Sequence, residues 1–428
     1  MQYVIQYCKY YVINLKNIKI SQFDRPLPII INAGWINALG LIRSLAIEHI
    51  PSISISREKF GLGLYSNQTI GLHCPDYRKS PEDLAAALLE LSCRLKQPGI
   101  LMPTDDLTLE ALIQIDEQIS PYFIKSYPSA NLLDFILDKY NQYLSAKSAG
   151  VPVPFTIAPE KISDLDNWPE QFFPCVVKGR RGKQFNMTTG FQAFLIKSRR
   201  ELEDFYTATA QAGVIIQEYI PNGDDHLFGY SSYISSSGEL LGEFISQKTQ
   251  QIPRGLGVMC RGVGNSGAAV GAQSLAWLQS LGYTGFSYIE YKLDPRDGQY
   301  KLIELNARSW LNQFMATLSS VNFPAIIYHS CAGEKLPPMK KQVDGVEWVS
   351  WMEDVLYVLG DIIRGRFNFR EWKASLPHGR DVLFGWKDPL PAFIIPLYLF
   401  ETYFNNRVKF KKLLSHNKQN LSQHDSSG

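Results

Sequence analysis

Glu290, Glu304, Asn306 and Arg308 are the side chains whose types and spacing most directly suggest chemistry. The stretch Asp294-Pro295-Arg296-Asp297-Gly298 separates Tyr288-Ile289-Glu290 from Leu302-Ile303-Glu304-Leu305-Asn306-Ala307-Arg308. Turn residues between apolar runs predict a β-hairpin, with Gly298 free to take positive φ. Alternation puts Glu304, Asn306 and Arg308 on one face and Ile303, Leu305 and Ala307 on the other. With 294–298 as the loop, Glu290 is expected opposite Leu302 and diagonal to Glu304, the Cβ atoms about 7 to 8 Å apart. Two carboxylates at that spacing can share divalent cations. Asn306 adds a neutral oxygen, and hard Mg²⁺ prefers such ligands while filling its shell with phosphate and water. Arg308 supplies a fork for phosphate or carboxylate. Taken alone, the same residues also fit an exposed hairpin face with ordinary surface charges.

Such a hairpin needs a body to aim it. From 27 to about 130 the chain alternates strand and helix patterns: Pro28-Ile29-Ile30-Ile31-Asn32, a helix running through Ala46 to Ile50, strands at 52–56 and 99–102, and a helix at 81–95. That alternation predicts a parallel α/β domain, because parallel strands need crossover connections. Thr104 is placed to cap a helix beginning near Asp105, and both stand where α/β domains commonly bind ligands. Gly34 and Gly40 do not make a dinucleotide fingerprint. A second unit begins at Asp138-Lys139, with Gly150 ending its first helix. A strand ending in Lys178 follows and enters Gly179-Arg180-Arg181-Gly182-Lys183, where small and basic residues suit a phosphate. Ser198 and Glu201 form a capping box for a helix over 201–211, and 213–220 is the next strand. Strands at 230–235 and 240–247 and a helix at 273–281 lead to the hairpin.

Composition sets outer limits. A chain of 428 residues needs two or three packed domains. A hydrophobic content of 45% with 20% charged residues is that of a globular protein, and a net charge of +2 gives no case for nucleic acid. The six cysteines are scattered without a Cys-x-x-Cys pair, so neither a disulfide framework nor a zinc site is expected. With no leader-like pattern at the first residues, a cytoplasmic setting is expected. Residues 388–404 are apolar and aromatic, too short to span and interrupted by Pro389, Pro391 and Pro396. They are expected to pack on the body, with peripheral membrane contact through 388–412 as the alternative, since Arg407, Lys409, Lys411 and Lys412 follow.

Asp138-Lys139, Val176-Val177-Lys178, Gln217-Glu218-Tyr219-Ile220, Tyr288-Ile289-Glu290 and Ile303-Glu304-Leu305-Asn306-Ala307-Arg308, in that order and spacing, resemble the ATP-grasp superfamily. The resemblance covers about 27–336. Within the family, IIQEYIPNGDDHLFGYSSYI and FISQKTQQIPRGLG look like the carboxylate–amine ligase branch. It implies an α/β and α+β fold: an N-terminal extension (1–26), a Rossmann-like pre-ATP-grasp domain (27–130), a central lid (131–220) and a C-terminal α+β domain (221–336). A helical, aromatic extension (337–412) and a disordered tail (413–428) would follow.

What the resemblance implies for the site is specific. Lys139 and Lys178 would reach the phosphates of ATP, and Gln217, Glu218, Tyr219 and Ile220 would edge the adenine. Glu218 or Asp225 would take the ribose hydroxyls. Glu290, Glu304 and Asn306 would hold Mg²⁺, or Mn²⁺ in its place. Arg308 and Lys248 would serve the reacting groups. Arg254 and Arg261, in a glycine-rich loop over 248–267, and Thr104 and Asp105 in the first domain are the candidates for substrate. This chain carries arginines where many members have glycines after the strand lysine, so its lid is expected either to hold phosphate by side chains more than by backbone or to close differently. The implied reaction turns a small-molecule carboxylate into an acyl phosphate that an amine then displaces. A small-molecule kinase or a non-catalytic nucleotide-binding module are the alternatives, and a homodimer is left open.

Overall fold

The computed structural model describes residues 12–13 and 19–403, apart from 79, 191, 210–212, 253–254, 256, 364, 366 and 375–380. Arg254, the basic run 407–412 and the tail expected at 413–428 lie outside the described residues.

Three sheets organise the chain. The first has six strands in the order Val12–Ile13, Ile70–His73, Ile53–Ser56, Pro28–Ile31, Gly99–Pro103 and Phe123–Lys125. All pairings are parallel except at the Val12–Ile13 edge, so residues expected to form a separate extension add a strand to this domain. Its inner strands Pro28–Ile31, Ile53–Ser56 and Gly99–Pro103 are buried at every position, as a sheet covered on both faces requires. The helix after Gly99–Pro103 is Asp106–Gln114, capped by Asp105 rather than Thr104. Thr104 instead lies buried, its hydroxyl aimed at the carbonyls of Ile31 and Asn32 (3.1 and 2.9 Å).

The second sheet is antiparallel, in the order Thr156–Ile157, Val214–Glu218, Cys175–Gly179 and Ala193–Ile196. It has its own core, built on Trp168, Val177, Phe185, Leu202, Tyr206 and Ile216. The first and third sheets are different: Ile29, Ile53 and Leu101 of one share a core with Tyr230, Ile289 and Leu305 of the other and with Trp277 of the helix Gly271–Ser280. The molecule is therefore one large packed body with a smaller unit beside it.

The third sheet runs Tyr300–Asn306, Gly285–Leu293, Leu227–Ile234, Leu240–Ile252, Val258–Gly264 and Glu347–Val349, all antiparallel. Two expectations change here. Most of 248–267 is strand rather than loop, because Leu240–Ile252 and Val258–Gly264 pair across two register shifts. The boundary expected at 336 falls too early, since Glu347–Val349 completes the sheet by pairing with Arg261, Gly262 and Val263. The helix that follows, Trp351–Ile363, places Asp354 against Arg261. Gly285 joins this sheet to the first domain. It sits at φ +99°, and a Cβ there would meet the Ser126 carbonyl oxygen at 2.8 Å.

Candidate active site

The hairpin forms with Leu293 opposite Tyr300 and Gly298 at φ +72°, but its register differs from the expected one. Tyr291 pairs with Leu302 while Glu290 pairs with Glu304, so Ile303 is an extra residue that bulges the second strand. The bulge rotates the alternation. Leu302 joins Tyr291, Ile289 and Leu305 in the core, and the two glutamates stand directly opposite each other with Tyr288 and Asn306 as the next pair. Direct pairing is closer than the diagonal spacing that even alternation predicts.

Each glutamate meets a lysine brought by another element. Lys139 opens the helix Lys139–Ser148, whose cap, Asp138, accepts from the Tyr140 amide at 2.9 Å. Its ammonium is bonded to Glu304. Gln142, three residues on, donates to the Leu305 carbonyl and accepts from the Leu305 amide, both at 2.9 Å, which ties this helix to the hairpin. Lys248, buried on Leu240–Ile252, lies 3.2 Å from both oxygens of Glu290. Lys178, at the end of Cys175–Gly179, donates to the Tyr143 hydroxyl at 3.2 Å, and that hydroxyl donates to the Ile303 carbonyl at 2.5 Å.

Arg308 crosses from the third sheet to the first domain. Its Nε and Nη2 donate to the two oxygens of Asp106 at 2.7 and 3.1 Å, and Nη2 also donates to Asn306 Oδ1 at 2.9 Å. Burial opposes its charge, but Asp106, with Glu304 and Asp105, holds its pKa above the usual arginine range. These residues line one cavity of about 440 Å³, together with Asp105, Glu110, Met259, Tyr288 and Trp310. Tyr288 and Trp310 stack at 4.9 Å between ring centroids and provide an aromatic wall. The volume suits a drug-sized or nucleotide-sized ligand.

Burial lowers the Lys178 pKa to about 8, with Glu304 and Glu290 opposing the shift. Below that pH the ammonium is charged, and the charge is lost as pH rises through it. If Lys178 meets phosphate, metal-free ADP affinity is expected to weaken above pH 8, approaching about tenfold per pH unit. Calorimetric titration of the unaltered protein and Lys178→Arg checks this; parallel profiles for the two would remove Lys178 from phosphate binding.

Other expected residues lie elsewhere. Glu218 is bonded to the Phe155 amide at 3.0 Å and paired with Arg296 at 2.5 Å, and Gln217 donates to the Thr156 hydroxyl at 3.1 Å. Lys292 lies over the Tyr219 ring at 5.3 Å, Ile220 is buried, and Asp225 contacts His226 at 2.9 Å. None of these, nor Thr104, is among the residues lining the cavity. The lid also departs from expectation. Gly182–Thr189 is helical directly after the strand, and Arg180 and Arg181 turn to Asp138 and Asp134 at 2.6 and 2.7 Å.

Arg261 does not reach the cavity either. Its fork is held by Asp354 at 2.6 and 2.9 Å, with both side chains buried. Asp354→Ala is expected to cost about 3–5 kcal/mol of stability by taking the bidentate carboxylate away from a buried guanidinium. Chemical denaturation measures it, and a loss below about 1 kcal/mol would mean that solvent reaches the pair. Residues that single-sequence reading passed over include Asp106, Gln142 and Tyr143. Asp106 adjoins the named Asp105, and only the path of the Asp106–Gln114 helix shows which of the two faces Arg308.

No family model matches this sequence. A curated relative, a D-aspartate ligase of Enterococcus faecium, is 24% identical over 244 residues, covering 53% of this chain and 57% of that protein. The match thus spans little more than half of the relative's length. Among solved structures, the N5-carboxyaminoimidazole synthetase of Staphylococcus aureus superposes with a TM-score of 0.61 at 12% identity, covering 81% of this chain and 88% of that one. The chain has the ATP-grasp fold. A second ATP-grasp neighbour is the biotin carboxylase domain dimer of the Hydrogenobacter thermophilus 2-oxoglutarate carboxylase, in complex with MgADP, ADP and bicarbonate. It superposes with a TM-score of 0.56 at 14% identity over 76% of this chain and 74% of that one. The second sheet lies within 131–220, the span expected as the central unit, and the third sheet carries the glutamate hairpin.

Proposed function

We propose that this protein is an ATP-dependent ligase that phosphorylates a small-molecule carboxylate and transfers the acyl group to an amine. The observation that carries the proposal is the pair Glu290 and Glu304, directly opposed on the hairpin, each matched by a lysine, in one cavity with Asn306 and the Arg308–Asp106 clamp.

The donor set fits a divalent cation. Two carboxylates and the Asn306 amide oxygen are hard ligands, and Lys139 and Lys248 balance the carboxylates where a cation would otherwise do so. Mg²⁺ held by Glu290, Glu304 and Asn306, with Mn²⁺ as a substitute, would supply positive charge to the phosphates. Lys139 and Lys178 hold phosphate from the side of the central unit. Arg308 stabilises charge that develops on the transferring group, and Asp106 orients its fork. No side-chain nucleophile is needed, because the substrate carboxylate attacks. The second sheet, with its separate core, is built to close over the site and keep water from the acyl phosphate.

The likeness to a D-aspartate ligase makes D-aspartate the first carboxylate to test. ADP release is measured from the purified protein with Mg²⁺ and a panel of small carboxylates and amines, with hydroxylamine present to trap an acyl phosphate. Hydroxamate formation with one acid is the expected outcome. ADP release with no hydroxamate and a phosphorylated hydroxyl product would assign a kinase instead. No nucleotide turnover or binding would reduce the site to a structural remnant.

A further inference from the structure

Ile303, the extra residue of the hairpin, has no partner across the ladder, so its carbonyl must be satisfied elsewhere. Tyr143 satisfies it. The Tyr143 hydroxyl donates to the Ile303 carbonyl oxygen at 2.5 Å, from a side chain only 2% exposed. Burial raises the Tyr143 pKa above the usual tyrosine range, with Lys139 opposing, so the hydroxyl keeps its proton for that bond. A carbonyl can only accept, and an ammonium can only donate. The directions around the hydroxyl are therefore fixed: its proton goes to Ile303, and its oxygen accepts from Lys178 at 3.2 Å. Gln217 Oε1, at 3.5 Å, is a more distant second acceptor.

This hydroxyl joins three elements that lie far apart in sequence. Tyr143 is on the helix Lys139–Ser148, Lys178 and Gln217 are on neighbouring strands of the second sheet, and Ile303 is on the hairpin. The Lys178 ammonium also lies 5.8 Å from the centre of the Tyr143 ring, close enough for the ring face to attract it. Lys139 and Lys248 are held by carboxylates, whereas Lys178 is held by a neutral oxygen. A neutral acceptor narrows the rotamers of a long side chain without cancelling its charge. One of the three ammonium N–H groups goes to Tyr143, and two remain for phosphate.

We propose that Tyr143 is a positioning residue: it takes its own place from the hairpin bulge and sets the Lys178 ammonium at the cavity for the phosphates of a nucleotide. This role rests on the nucleotide reading of the site, since Lys178 lines the cavity that also holds Glu290 and Glu304. Ile303 then acts twice. Its insertion sets Glu290 opposite Glu304, and its freed carbonyl sets Lys178 through Tyr143, so both groups take their places from one irregularity in one strand.

The test is calorimetric titration of metal-free ADP into the full-length protein and into Tyr143→Phe, Lys178→Met and the double variant. Phenylalanine keeps the ring and removes the hydroxyl. One unpaired carbonyl is a small fraction of a domain's stability, so Tyr143→Phe is expected to fold, which chemical denaturation checks. It is expected to weaken ADP about tenfold, the scale of one hydrogen bond to a charged group, and the double variant to bind no more weakly than Lys178→Met. Tyr143 shares its helix with Lys139, so a helix that merely shifted would still lose affinity after the Lys178 ammonium is gone. Unchanged ADP affinity in Tyr143→Phe, or losses that add in the double variant, overturn this role and leave the ligase reading standing. Absence of ADP binding in the unaltered protein overturns both.

Discussion

Glu304→Gln is expected to lower the rate of ADP release by about 10²–10³-fold while leaving the fold intact, the scale of losing one preorganised charge from a phosphoryl-transfer site. The substitution keeps the shape of the side chain and removes the charge that faces Glu290 and binds Lys139. Folding is little affected, because the Glu304 side chain is 31% exposed and a partly solvated ion pair contributes about 1 kcal/mol or less. Loss of rate with an unchanged denaturation midpoint therefore reports on chemistry. The unaltered protein is also expected to need Mg²⁺ or Mn²⁺, and the variant to need more of it. A rate within about threefold of the original would sink the metal assignment.

Arg308→Lys is expected to cost about 10²-fold in kcat, with a much smaller change in the KM for ATP. Lysine retains a positive charge but lacks the planar fork whose Nε and Nη2 donate to the two oxygens of Asp106 while Nη2 also reaches Asn306. The clamp spans the first domain and the hairpin sheet, so its geometry governs how groups from the two are held together. Asp106→Asn is expected to fall between the variant and the original, about tenfold down in kcat, because it loosens Arg308 without removing it. Steady-state kinetics over both substrates separates the two constants. Equal losses in kcat for Asp106→Asn and Arg308→Lys would place Asp106 on the substrate itself. A pure KM effect for Arg308→Lys would confine Arg308 to binding.

How far the sequence could be read depended on the kind of signal. The parallel first domain was legible because Pro28–Ile31, Ile53–Ser56 and Gly99–Pro103 are continuous apolar runs between helical periods. The hairpin was legible because Asp-Pro-Arg-Asp-Gly turns and its flanks are apolar. Its register was not, since nothing local marks Ile303 as a bulge. Shifting by one residue moves Leu302 to the core face and sets Glu290 opposite Glu304, and only packing against Tyr291 and Ile289 rewards that shift. The partners of the lid arginines were illegible for a related reason. Glycines and arginines in 179–183 looked like a phosphate loop, yet Asp134 and Asp138 lie within reach only after the chain folds.

By itself the sequence singled out Lys139, Lys178, Lys248, Glu290, Glu304, Asn306 and Arg308 as candidates for chemistry, because residue type and order along the chain are local properties, and all seven line one cavity. Tertiary structure decided which of them meet. It sent Arg261 to Asp354 and Arg308 to Asp106, turned Thr104 into the backbone, and left 217–220 and Asp225 off the cavity wall. An arginine's chemistry is the same in each place. Which carboxylate neutralises it once water is excluded depends on contacts between residues far apart in sequence, and such contacts exist only in the folded chain.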